Sequence, residues 1–235
     1  MTLRAQLDQL KGKVVDFLFP ARCLGCAVEG SFICTSCRRA LPRLLPPLCP
    51  KCSSPLIQED RCPLCLKWRL EIDGIRALFL LQGLVRQAVH QFKYNNLKAL
   101  AFPLAQLLAE SLESKPLPAE VIIPVPLHPK RLRERGYNQS GLLARELGRV
   151  SGLPVWEGSI LRLRNTPAQV KAASADDRRR NVRGAFSCND EKVRGKRVLV
   201  LDDVCTTGAT LDSCAVALKA AGASSVWGLV LAREA

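Results

Sequence analysis

The chain has 235 residues, 48% of them hydrophobic, enough for a sizeable core plus a smaller module. Its longest apolar run, from about Ala77 to Val85 and broken by Gln82, is too short to span a bilayer. The formal charge of +14 points to a polyanionic partner.

In the N-terminal stretch, Leu3, Leu7, Leu10, Val14 and Phe17 recur at spacings of four, three, four and three. This period predicts an amphipathic helix over residues 1–20, packing on a neighbouring module, with membrane-surface binding as the alternative. Polar residues interrupt the stretch and no small-residue cleavage site follows it, so a cytoplasmic location is expected.

Eight of the eleven cysteines then fall into four pairs: Cys23 and Cys26, Cys34 and Cys37, Cys49 and Cys52, Cys62 and Cys65. A two-residue gap lets both sulfurs of a tight turn meet one metal, and two such turns complete a shell of four thiolates. Zn²⁺ suits that shell because it accepts four thiolates without redox cycling. Two structural zinc ions are expected, with thiolates and metals together bringing the charge to about +10. A disulfide framework needs an oxidising compartment, and iron–sulfur runs usually have other spacings. The proline-rich "LPRLLPP" between the second and third pairs favours sequential over interleaved pairing. Aliphatic residues from Ala21 to Lys67 show no sustained period, so metal must supply folding energy over residues 21–70. Cys188, Cys205 and Cys214 stand alone and read as packing or loop residues.

Residues 71–235 form the larger domain. "IRALFLL", "EVIIPVPL", "KRVLVLDD" and "VWGLVLARE" read as strands, and "LVRQAVHQFKYNN", "LKALAFPLAQLLAESLES", "NQSGLLARELGRVSG" and "TLDSCAVALKAAGAS" as helices. Alternation of this kind predicts an α/β fold with a parallel sheet. Ligands of such sheets bind beyond the carboxyl ends of strands, where Asp202 and Asp203 are expected. The following loop, Thr206, Thr207, Gly208, Ala209 and Thr210, opens a helix whose amides and positive end suit a phosphate. Adjacent carboxylates cannot bind phosphate, but they can accept hydrogen bonds from vicinal hydroxyls. A diol acceptor beside a phosphate cradle describes a site for ribose 5-phosphate.

"RVLVLDDVCTTGAT" resembles the signature of type I phosphoribosyltransferases, which bind 5-phosphoribosyl 1-pyrophosphate (PRPP) with Mg²⁺. The resemblance implies that Asp202 and Asp203 hold the ribose hydroxyls and Thr206 to Thr210 the 5′-phosphate. Taken with the cysteine pairs, "DFLFPARCLGC", "HQFKYNN", "PVPLHPKRLRERGYNQS", "RNTPAQ" and "RRRNVRGAF" are similar, in order, to the ComF competence family. That family joins a double zinc ribbon to a phosphoribosyltransferase-like domain and is implicated in DNA uptake and natural transformation.

In that architecture Lys130, Arg131, Arg133 and Arg135 fall where a loop faces pyrophosphate or a nucleic-acid backbone. "RLRNTPAQVKAASADDRRRN" reads as a long mobile loop that closes over PRPP, with Arg164, Thr166, Gln169, Arg178 and Asn181 at the family's polar positions. Arg178, Arg179 and Arg180 are further candidates for single-stranded DNA. The expected function is PRPP and single-stranded DNA binding in DNA uptake, alongside other competence-machinery proteins. The alternatives are a catalytic phosphoribosyltransferase of nucleotide or base salvage, and a zinc-ribbon adaptor with a PRPP-sensing site. No base-binding motif identifies an acceptor.

Overall fold

The computed structural model describes residues 21–56, 62–165 and 174–234. The expected N-terminal helix, Thr166 and Gln169 lie outside them. The chain divides into two compact units, Met1–Leu41 and Pro42–Ala235, whereas composition puts the division near residue 70. Among the described residues of the first unit, the short helix α1 (Thr35–Arg39) follows the Cys34 N-cap.

The second unit starts with the second cysteine cluster, whose last pair opens α2 (Pro63–Lys67). Its sheet contains β1 (Gly74–Leu80), β2 (Val121–Pro124), β5 (Arg197–Cys205) and β6 (Ser225–Arg233). They are parallel, in the order β1-β6-β5-β2. β5 and β6 are apolar along nearly their whole length because both faces are covered. β2 is short: Pro124 and Pro126 cannot donate to a ladder, and the chain leaves the sheet there. The exposed edge of β1 is capped by residues 42–44, where Leu44 donates to Leu78 and Leu80 to Pro42.

The helices α3 (Gly83–Tyr94), α4 (Ala101–Ser114) and α6 (Gln139–Ser151) bury the apolar stripes expected of them. Gly152, with φ of 75°, ends α6. Two stretches expected as loops are helical. Pro129 at the first turn and Gly136 at the end delimit α5 (Pro129–Arg135). The expected mobile loop instead carries α7 (Ala175–Val182) between two short antiparallel strands, β3 (Leu161–Arg162) and β4 (Phe186–Ser187). Ser174 caps that helix through the amide of Asp177, and Asp176 and Asp177 face its positive end. The last helix, α8 (Ala209–Ala220), leaves the end of β5.

The second cysteine cluster belongs to the same core. Cys49, Cys52 and Cys62 are buried with Ile72, Ile75, Val121 and Val230. Ser53 Oγ donates to the Ile75 carbonyl at 2.7 Å and the Ile75 amide to Lys51 at 2.8 Å. Arg233, 1% exposed, donates to the Cys52 carbonyl at 2.8 Å.

Candidate functional site

The eight paired cysteines gather into two sequential sets, Cys23/Cys26/Cys34/Cys37 and Cys49/Cys52/Cys62/Cys65, with the sulfurs of each set within 4.8 Å of one another. Sulfur pairs lie at 3.6 Å (Cys26–Cys34), 3.7 Å (Cys49–Cys65) and 3.5 Å (Cys52–Cys62). Tetrahedral zinc with bonds of about 2.3 Å sets its sulfurs roughly 3.8 Å apart, so both sets fit the ion. In the first set the Cys34 amide donates to Cys23 at 3.3 Å and the Cys37 amide to Cys34 at 3.5 Å. Burial alone would push the Cys23 thiol up, but amide donors outweigh it and hold it at about 6. Four thiolates this close repel one another, and a divalent cation compensates them.

The acid pair sits inside β5, not at its end. β5 loses its partner β2 after Leu201↔Pro124 but keeps β6 to Cys205↔Arg233, so Asp202 and Asp203 lie where one neighbour has stopped. That gap opens a cavity of about 350 Å³. Asp202, Asp203, Thr206 and Thr210 line it from β5 and the head of α8, and Arg131, Arg135 and Arg178 from α5 and α7. The other loop residues do not line it. Thr207 is buried, and its Oγ1 accepts from the Ala209 amide at 3.4 Å. Gly208 has φ of 80°, and a Cβ there would lie 2.9 Å from Ile75 Cδ1, so only glycine makes this turn without strain. Lys130 is exposed in the first turn of α5, and Arg164 donates to the Arg183 carbonyl; neither lines the cavity.

The acids are tied from beneath. Ser140 Oγ, fully buried at the head of α6, donates to Asp202 Oδ1 at 2.7 Å, and the Asp203 amide donates to the same oxygen at 2.9 Å. Lys93 Nζ pairs with Asp203 Oδ2 at 2.7 Å. Burial, then the neighbouring Asp203 carboxylate, raises Asp202 to about 7, against the pull of Lys93 and Ser140. Burial would lower Lys93, but the charges of Asp203 and Asp202 prevail and hold its ammonium above the ordinary range. The cavity floor is thus a pair of adjacent acids whose mutual repulsion is partly relieved by one lysine and one hydroxyl.

Lys93, Ser140, His90 and Arg162 line or support this site without having been singled out from the sequence. A lysine in the last turn of an amphipathic helix reads as an ordinary helix-end charge. The only local signal was its place in "HQFKYNN", on the same face as Val89 and Phe92.

A parallel α/β sheet with this strand–loop–helix and paired acids defines a phosphoribosyltransferase-like domain, here joined to two cysteine clusters. The chain matches the phosphoribosyl transferase domain over residues 149–234 and the double zinc ribbon domain over residues 14–66. It belongs to the competence protein F family. It is 32% identical to competence protein F of Haemophilus influenzae, over 91% of this chain and 98% of that one. It is 34% identical to the DNA utilization protein YhgH of Salmonella typhi, over 83% of this chain and 87% of that one. Among solved structures, it resembles a glutamine phosphoribosylpyrophosphate amidotransferase from B. subtilis at 20% identity and a TM-score of 0.42. That likeness covers 60% of this chain and 30% of the other. No helix among the described residues is long and apolar enough to cross a membrane.

Proposed function

We propose that this protein binds PRPP with Mg²⁺ and single-stranded DNA, and serves the uptake or handling of incoming DNA. The observation that supports PRPP best is the cavity that joins Asp202 and Asp203 to Thr206, Thr210 and a set of arginines that includes Arg131, Arg135 and Arg178. Two carboxylates suit the ribose 2′- and 3′-hydroxyls, which donate. The Thr206 and Thr210 hydroxyls and the head of α8 suit the 5′-phosphate, which accepts. Arg131, Arg135 and Arg178 would meet the diphosphate, with Mg²⁺ offsetting the remaining charge. Lys93, paired with Asp203 at 2.7 Å, offsets charge on the acid pair from within the chain.

The DNA half rests on the relatives named for competence and DNA utilization, and on a charge that stays near +10 after zinc is counted. In a naturally transformable host, a deletion strain should lose transformation and grow normally on defined medium. A purine, pyrimidine or nicotinate auxotrophy would instead favour a salvage phosphoribosyltransferase. Pyrophosphate release from PRPP with a panel of acceptors, with and without single-stranded DNA, separates binding from turnover.

A further inference from the structure

A second and larger cavity, of about 750 Å³, lies in the same Pro42–Ala235 unit. It opens between the segment after α2, the helix α7 and the outward face of α8. Its floor is apolar, with Val216 of α8 49% exposed, and Trp68 forms one wall. Arg69, Arg179, Arg180 and Arg183 supply the cations. The arginine run therefore serves two surfaces. Arg178 lines the first cavity and pairs with Glu234 at 3.2 Å, whereas Arg179 and Arg180 line the second.

The wall is held by contacts within the chain. Arg179 lies over the Trp68 ring at 5.3 Å from its centroid and Lys67 at 5.4 Å. Arg179 pairs with Asp212 at 3.0 Å, and Asp212 accepts the amides of Glu71 and Ile72 at 2.7 and 3.1 Å. Yet the buried Nη1 of Arg179 has no hydrogen-bond partner among the described residues, a cost that an acceptor from outside would remove. Arg180 makes its one ion-pair contact among the described residues with Asp177, at an exposed position and with Asp176 nearby, and Arg69 and Arg183 have no ion pair among the described residues. Of the acids at the rim, Asp176 is paired with Lys67, and Glu71 is exposed.

An inorganic anion has no use for an apolar floor, and a purely apolar ligand would leave the guanidinium groups unanswered. A nucleobase carrying a phosphate answers both. We infer that this cavity binds a nucleotide unit, with its base over the Val216 floor and against the Trp68 wall and its phosphate on Arg69, Arg180 and Arg183. The inference rests on the nucleic-acid half of the proposed function, and it makes the DNA site separate from the diol cavity.

The test is fluorescence anisotropy of a labelled oligothymidylate with the full chain at low salt. Arg180→Glu with Arg183→Glu should weaken binding at least tenfold and leave Mg–PRPP titration unchanged. A control of equal charge change, Arg145→Glu with Arg149→Glu on α6, should lose far less. Thymidine monophosphate that competes assigns the cavity to free nucleotides as well as strands; failure to compete assigns it to strands. Inorganic phosphate that competes as well as the nucleotide would overturn the inference, as would equal losses in both variants. Tight binding by the parent with no loss in Arg180→Glu/Arg183→Glu sinks the second cavity alone. No binding by the parent at low salt sinks the DNA half of the proposed function with it.

Discussion

Lys93 and Ser140 explain how two carboxylates persist on consecutive residues of a buried strand. Asp202, raised to about 7, takes up its proton in the folded state while an unfolded aspartate is already ionised above about 4. The folded state then binds more protons between those values, so this group's contribution to stability falls as pH rises through that window. Asp202→Asn keeps an acceptor for Ser140 and cannot ionise. It should be more stable than the parent at pH 8, by on the order of a few kcal/mol, and nearly equal to it at about pH 4. Urea melts of both proteins across that range check this; identical slopes with pH would contradict it. Lys93→Met removes the cation from the pair and should cost on the order of 3 kcal/mol at pH 8. The acids and the hydroxyl-rich loop were legible from the sequence because their chemistry is local. Lys93 and Ser140 were not, because each acts across a sequence separation that only the fold closes.

The loop between β5 and α8 works because Gly208 takes a left-handed turn against Ile75. Gly208→Ala should cost roughly 1–2 kcal/mol in backbone strain, with the close contact added, and should weaken PRPP binding. A thermal melt with and without Mg–PRPP measures both effects. Strands β5 and β6 were legible as long apolar runs, since both faces are covered. Helix α7 was missed because its composition is almost wholly polar, with no apolar stripe to give it a period. The signal present was "SADD", a capping serine followed by two acids in the first turn. That helix turns a supposed arginine patch into two, since successive residues face different directions.

Across the whole chain, the two cysteine clusters have different neighbours. The four-by-two spacing made both metal sets legible, but not that the second shares the core of the α/β unit while the first lies in a unit of its own. Cys49→Ser should therefore lower the main thermal transition, and a loss of ~3 kcal/mol corresponds to roughly 6–12 °C in a unit of this size. Cys26→Ser, in the first unit, should leave that transition nearly unchanged. Elemental analysis should give two zinc ions for the parent and one for each variant. The central claim is that Asp202 and Asp203 receive the ribose of PRPP, and calorimetric titration of Mg–PRPP tests it most directly. The parent should bind, more tightly above about pH 7 than below it, as Asp202 ionises. The folded Asp202→Asn/Asp203→Asn protein should bind at least tenfold more weakly. No binding by the parent, or equal affinity in the two proteins, would contradict the account.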